Sequence, residues 1–252
     1  MNMDSQLFIE QVRQNLTITQ LNPQSLSVTI QMVPGDLLTA LLTGISRVLK
    51  ESFNTPKKRL LADIVIGFDS LYIQAAHSEV FHQADIELLH EVIQQFLNTP
   101  DLQNKTENKA AVFTVKACYH PDLAPDLISV AREKNLAVDE VISLHTSAIY
   151  TVYAIGFMPG FAYMGHLPKA LHIDRKATPR MQVPAGSVGL AHNQTGIYPR
   201  TSPGGWQIIA RTTLNCFNAS LPVKDACPFV VGQKVKFEAI TLDEYQGLKN
   251  GD

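Results

Sequence analysis

Apolar and polar residues alternate across residues 25–32 (Leu26, Val28, Ile30, Met32), and this period of two predicts a half-buried strand. The period then changes. Over residues 37–53, Leu37, Leu38, Leu41, Leu42, Ile45, Val48 and Leu49 recur at helical spacing, which predicts an amphipathic helix. Short apolar runs at 64–66 and 71–73 read as strands around Gly67, and residues 85–97 return to helical spacing. The order strand-helix-strand-strand-helix predicts a small sheet with its helices on one face. Residues 98–109 (NTPDLQNKTENK) carry no large apolar residue after Leu102, so the pattern breaks there. A domain boundary is expected at this point, giving an N-terminal α/β lobe over 1–100 and a second domain over 110–242.

Past the break, residues 111–119 read as a strand, 126–133 and 138–145 as two short helices, and 148–155 as a further strand. Asp126 and Asp139 stand near the helix starts, where a carboxylate caps free backbone N–H groups. Short apolar runs then alternate with turn signals at 182–190, 206–212 and 234–240. That spacing predicts a β-barrel or sandwich, not alternating βα units. The expected fold is therefore α+β and mainly β, with two short helices packed at one end of the barrel.

Residues 156–205 depart from this regularity. They hold eight of the 14 glycines and six of the 14 prolines, yet also Phe157, Phe161, Tyr163 and Tyr198, with the single tryptophan, Trp206, directly after. Flexible linkers lack such anchors, so the segment reads as backbone held in special conformations around a ligand. Charge sharpens this. Between Val141 and Lys224 the one acid is Asp174, against seven bases: Lys169, Arg175, Lys176, Arg180, Arg200, Arg211 and Lys224. A locally cationic stretch in a chain of net charge −2 favours a small anionic ligand. It is not the basic helix or aromatic-studded sheet of a nucleic-acid binder. No apolar run approaches membrane-spanning length, and the N-terminus lacks the order of a signal peptide. Three cysteines without CxxC spacing point to a reducing compartment, the cytoplasm, with no disulfide framework or zinc site.

Individual residues suggest roles. His145 ends a predicted helix, where it either complements the helix dipole or performs acid–base work at the mouth of a site. Arg180 and Arg200 each follow a proline, and their planar guanidinium groups suit a carboxylate or phosphate. Gln194 precedes Thr195-Gly196 and suits an amide or ring carbonyl. Gly160-x4-Gly165-His166 lacks the lysine and hydroxyl residue of a phosphate-binding loop. Ala185-Gly-Ser187-Val-Gly189 approaches a nucleophile elbow, but no helix is predicted after it. The histidines show no metal-binding spacing.

The ordered blocks His145-Thr146, Tyr150-x-Val-Tyr153, Gly156-Phe-Met-Pro-Gly-Phe161, Thr178-Pro-Arg180, Val183-Pro-Ala-Gly-Ser-Val-Gly189, Gln194-Thr-Gly-Ile-Tyr-Pro199 and Ser202-Pro-Gly-Gly-Trp206 resemble the KipI family. That family is also called allophanate hydrolase subunit 1, or the B subunit of prokaryotic 5-oxoprolinase (carboxyltransferase domain, subdomains C and D). The resemblance covers residues 111–240 and implies a cyclophilin-like β-barrel after a small α/β domain. It implies a subunit of an enzyme that uses ATP with Mg2+ to open 5-oxoproline to glutamate, inactive alone and acting with a C subunit and an A subunit. Its site would draw on His145, Arg180 and Gln194 for catalysis. Tyr153, Phe157, Phe161, Gly186, Ser187, Tyr198, Gly204, Gly205 and Trp206 would bind substrate, with no metal ligand identified. Met158, Phe161 and Met164 are expected at the surface facing a partner. The alternative is a KipI-like inhibitor of a sensor histidine kinase. Prolyl isomerase activity would rest on fold analogy alone.

Overall fold

The computed structural model of the protein describes residues 3–55, 58–99 and 111–251. Cα packing divides the chain into two units, Met1–Lys109 and Ala110–Asp252. In the first, the elements are α1 (Met3–Asn15), β1 (Leu16–Asn22), β2 (Ser25–Ile30), α2 (Asp36–Phe53), β3 (Asn54–Thr55), β4 (Lys58–Arg59), β5 (Leu61–Ile66), β6 (Ser70–Ala75) and α3 (Gln83–Leu97). A four-stranded sheet of order β1-β2-β6-β5 is antiparallel throughout, so this lobe is α+β in the strict sense. Alternation in β2 and β6 puts Leu26, Val28, Ile30, Leu71 and Ile73 into one core with Leu38, Leu41, Leu42, Ile45 and Leu49 of α2 and Leu89 and Ile93 of α3. The sequence pattern predicts neither α1 nor β1. β1 is an edge strand with no fully buried position, and its pairing with β2 (Ile18↔Val28) supplies what its own pattern lacks.

The second unit contains β7 (Phe113–Cys118), α4 (Leu127–Lys134), α5 (Val138–Ser147), β8 (Tyr150–Ile155), β9 (Ala162–Gly165), a single 3-10 turn at Lys169–Leu171, β10 (Arg180–Val183), β11 (Ser187–Ala191), β12 (Gln194–Ile197), β13 (Ser202–Gly204), β14 (Gln207–Arg211), β15 (Lys234–Ile240) and α6 (Leu242–Asn250). Seven strands close into a barrel of order β11-β12-β9-β8-β15-β7-β14, with β14 returning to β11. β7 and β15 run parallel, and the other neighbours run antiparallel. Closure removes the edges that an open sheet would expose. The stretch 182–190 is not one strand. Pro184 offers no N–H to a ladder, and Gly186, at φ 76, reverses the chain between β10 and β11.

Two apolar clusters follow from the strand period. Val115, Ala117, Val152, Met164, Val188, Leu190, Ile197, Val235 and Phe237 fill one core, which Leu127 and Val130 of α4 and Val141 of α5 join. Residues one step out of phase pack into a second cluster on the other side of the wall: Met158, Phe161, Val183, Ala191, Tyr198, Trp206 and Ile208. The β10–β13 pair (Arg180↔Gly204, Val183↔Ser202) contributes Val183 to that cluster. Among the described residues no helix is long and apolar enough to cross a membrane.

Candidate anion-binding site

Asp126 organises the cationic stretch. It directly precedes α4, but its side chain makes no capping bond to that helix. Its Oδ1 instead accepts from Arg180 Nη2 (2.5 Å) and Lys176 Nζ (3.0 Å), and its Oδ2 accepts from the Ile208 N–H (2.7 Å). The Asp126 N–H in turn donates to the Ile208 carbonyl at 2.9 Å. The start of α4, β14 and the 176–180 segment are thereby joined through one carboxylate that is 2% exposed. Burial alone would raise its pKa, but the Arg180 hydrogen bond, the Ile208 N–H and Lys176 outweigh burial and hold it below the ordinary 3.8. The native state therefore binds this proton less readily than the unfolded chain does. The resulting stabilisation is complete above about pH 4 and is lost as pH falls through the lower native value. Urea midpoints should show Asp126→Asn less stable than wild type at pH 7, with the gap closing below pH 4. A constant gap down to pH 3 would contradict this ion cluster.

Two cations on one carboxylate leave a positive surplus, and aromatic rings lie beside it. Phe161 meets Tyr198 at 5.3 Å and Trp206 at 5.4 Å, both edge-on, and lies 4.7 Å from Tyr163. Burial raises the pKa of both Tyr163 and Tyr198, and the positive charge of Arg175 pulls each partly back. Tyr198 also feels Arg180 and takes a hydrogen bond from the Trp206 backbone. Gly204 is required here, because a Cβ would fall 2.3 Å from the Tyr198 hydroxyl. The Lys176 N–H donates to the Gly205 carbonyl at 2.7 Å and ties the basic segment to this turn. Arg175, Lys176, Arg180, Tyr163, Tyr198 and the Gly204–Gly205 turn thus form one cationic, phenol-bearing patch. Phe157 stands at the margin, 67% exposed and edge-on to Phe161 at 5.7 Å. Its φ of 66 is strained for a bulky residue.

Other expected site residues lie elsewhere. His145 is not at a mouth but wholly buried, in ring contact with Phe237 and Tyr150. Its Nδ1 lies 2.7 Å from the Tyr119 hydroxyl and its Nε2 3.0 Å from Thr195 Oγ1. Thr195 Oγ1 already donates its one proton to the Gly189 carbonyl at 3.1 Å, so it must accept from His145. The ring is therefore neutral with its proton on Nε2, and Nδ1 accepts from Tyr119. Burial lowers its pKa to about 3, and the helix-dipole role gives way to a hydrogen-bonded core histidine. Gln194 opens β12 opposite Ala191, four residues (about 13 Å) from Tyr198. Tyr153 packs over Gly165 and edge-on to His166. Ser187 is fully buried at the start of β11, and Gly186 abuts the Thr212 carbonyl. Met158, Phe161 and Met164 are core residues, while Phe157 and Met181 are exposed. Asp139 lies within the first turn of α5, where Glu140 accepts from the Ala137 N–H at 2.6 Å instead.

The sequence pattern does not single out Asp126, Lys176, Arg175 or Tyr163 as candidates for this patch. The charge run contained the two bases. Nothing local signals that the nearest buried acid lies 50 residues upstream of Lys176. Among the described residues, no group of three or more His, Cys, Asp or Glu side chains is placed to hold a metal ion.

Comparison with known proteins follows the same outline. Residues 16–226 match the family model described as carboxyltransferase domain, subdomain C and D. The chain is 40% identical over 139 residues to the 5-oxoprolinase B subunit of Bacillus subtilis (strain 168), covering 55% of this chain and 57% of that protein. It is 47% identical over 133 residues to the 5-oxoprolinase B subunit of Escherichia coli O157:H7, covering 52% and 59%. The matched part thus spans somewhat more than half the length of these relatives. Among solved structures, TTHA0988 superposes with a TM-score of 0.70 at 25% identity, covering 86% of this chain and 40% of that one. The chain belongs to the family of carboxyltransferase domains, subdomains C and D, whose members include these B subunits of 5-oxoprolinase.

Proposed function

We propose that the protein is the B subunit of an ATP-dependent 5-oxoprolinase, which opens the lactam of 5-oxoproline to glutamate. The observation that carries this reading is identity of 40% and 47% to two proteins of that name. The site agrees in charge. 5-Oxoproline carries a carboxylate and ATP carries phosphates, and Arg180, Lys176 and Arg175 suit either anion. Phe161, Tyr198 and Trp206 pack as a buried aromatic cluster beside these cations. In that reaction the γ-phosphoryl group of ATP would pass to the lactam oxygen with release of ADP, and water would then attack the activated carbon to give glutamate and phosphate. The part of this chain is to bind and orient the anion, while a C subunit of related architecture and an A subunit complete the reaction. Exposed Phe157 and Met181 offer apolar surface to such a partner. The residues here do not fit Mg2+, because Asp126 is already engaged by three donors.

The test is co-expression with the cognate C and A subunits and an assay of 5-oxoproline-dependent ATP hydrolysis. In the assembled complex Arg180→Ala should lower kcat/KM by roughly 30- to 1000-fold, the loss of about 2–4 kcal/mol from a charge-assisted contact. The melting temperature of the variant complex checks that it is folded. An assembled complex without activity would sink the reading. Inhibition of a sensor histidine kinase by this chain would then identify it as the KipI-like regulator.

A further inference from the structure

Arg180 is held by one end. Its Nη2 is fixed on Asp126 Oδ1, while its Nη1 is buried and has no hydrogen-bond partner. The guanidinium is a rigid planar fork, so fixing Nη2 also fixes where Nη1 points. A buried donor with no acceptor is costly, and this one stands next to a surplus of positive charge, which an anion would relieve. Asp126 itself has little freedom, because the Ile208 N–H occupies Oδ2 and its own N–H donates to the Ile208 carbonyl. Lys176 shares Oδ1, leaving one negative against two positive charges.

We propose that Asp126 is a positioning residue for an oxyanion site. It clamps Arg180 through Nη2 so that Nη1 is presented to a carboxylate or phosphate oxygen of the ligand, beside Tyr198 and the Gly204–Gly205 turn. The anion's charge balances the surplus of the Asp126–Lys176–Arg180 cluster. This rests on the functional reading above only for the identity of the natural ligand, since the geometry calls for an oxyanion in either case. Asn at position 126 cannot replace Asp. Its carbonyl oxygen can accept from Ile208 or from Arg180, and its NH2 then faces the other donor.

The experiment titrates the full chain, labelled with 15N-arginine, with inorganic phosphate and separately with 5-oxoproline. The Arg180 side-chain resonance is assigned by its absence in Arg180→Lys. In wild type it should shift with at least one probe. A response to 5-oxoproline alone identifies a carboxylate subsite, and a response to phosphate alone identifies a phosphoryl subsite. Asp126→Asn should weaken that binding roughly 10- to 100-fold through misplacement of the guanidinium, although residue 126 touches no ligand. Arg180→Gln should abolish it, and the double variant should be no weaker than Arg180→Gln alone. Asp126→Glu, which keeps the charge but displaces it, should fall between wild type and Asn. Wild-type affinity in folded Asp126→Asn overturns the proposal, because a purely structural aspartate would lower stability and leave affinity unchanged. An unmoved Arg180 resonance in wild type with both probes also overturns it, and needs no variant at position 126 to fold. Phosphate binding that depends on Asp126, in a protein whose assembled complex lacks 5-oxoprolinase activity, would support the site while refuting the assigned reaction.

Discussion

His145→Ala is expected to destabilise the protein by about 3–5 kcal/mol, the cost of a core cavity together with two buried hydroxyls left without their partner. The imidazole joins four elements: α5, which carries it; Tyr119, just past β7; Thr195 in β12; and, through Thr195, the Gly189 carbonyl of β11. The Tyr150 hydroxyl adds a bond to the His145 carbonyl at 2.8 Å. Burial lowers the histidine pKa from 6.5 to about 3. The unfolded chain therefore takes up a proton below pH 6.5 that the native state refuses, and wild-type stability falls by up to about 1.4 kcal/mol per pH unit on that account. The variant lacks this slope, so the gap between the two should narrow between pH 7 and pH 5. That window lies above the one in which Asp126 acts, which separates the two effects. Chemical denaturation at a series of pH values measures both. A gap under about 1 kcal/mol at pH 7, or one that does not change with pH, would remove His145 from this role. At temperatures where the variant stays folded, oxyanion binding should be unchanged, because the partners of His145 (Tyr119, Tyr150, Thr195 and Phe237) are not residues of that patch.

How far the sequence could be read depended on how local each cause was. α2 follows from its own leucine spacing, and the limits of β15 coincide with the run 234–240, because in both a face with a fixed period is buried. β9 and β12 are four residues long and lie inside glycine- and proline-rich sequence. They exist because barrel neighbours supply their hydrogen bonds, and no periodic pattern of that length is diagnostic. The aromatic and cationic residues of 156–205 supply most of the candidate patch, and Asp126 lies outside that stretch. The grouping within it was not legible. His145 and Gln194 carry site-like chemistry but belong to the core and to a strand start. Asp126, which looks like a helix cap, became the partner of a lysine and an arginine distant in sequence. Side chains such as these declare their roles only through tertiary contacts.

The loop between β8 and β9 gives the second large effect. Gly156 has room for a side chain, since a Cβ there would meet nothing within 4 Å. Gly160 is the opposite case, with φ at 84 and an added Cβ lying 2.3 Å from the Cys216 carbonyl oxygen and 2.8 Å from Phe217 Cβ. The Phe161 N–H donates to the Met158 carbonyl and the Gly156 N–H to the Phe161 carbonyl, both at 3.1 Å, so the loop closes on itself and cannot relax one residue at a time. An alanine at 160 must take up left-handed backbone, at about 1–2 kcal/mol, and must also displace the backbone at 216–217, at about 1–3 kcal/mol. Gly160→Ala should therefore cost roughly 2–5 kcal/mol and lower the melting temperature by about 5–20 °C. Gly156→Ala should stay within about 0.5 kcal/mol of wild type. Calorimetry of the two variants side by side decides the matter, and equal melting temperatures would show that residues 216–217 do not brace this loop. Because Phe161 follows Gly160 directly and forms the wall beside Tyr198 and Trp206, Gly160→Ala should also weaken oxyanion binding at Arg180, whereas Gly156→Ala should not.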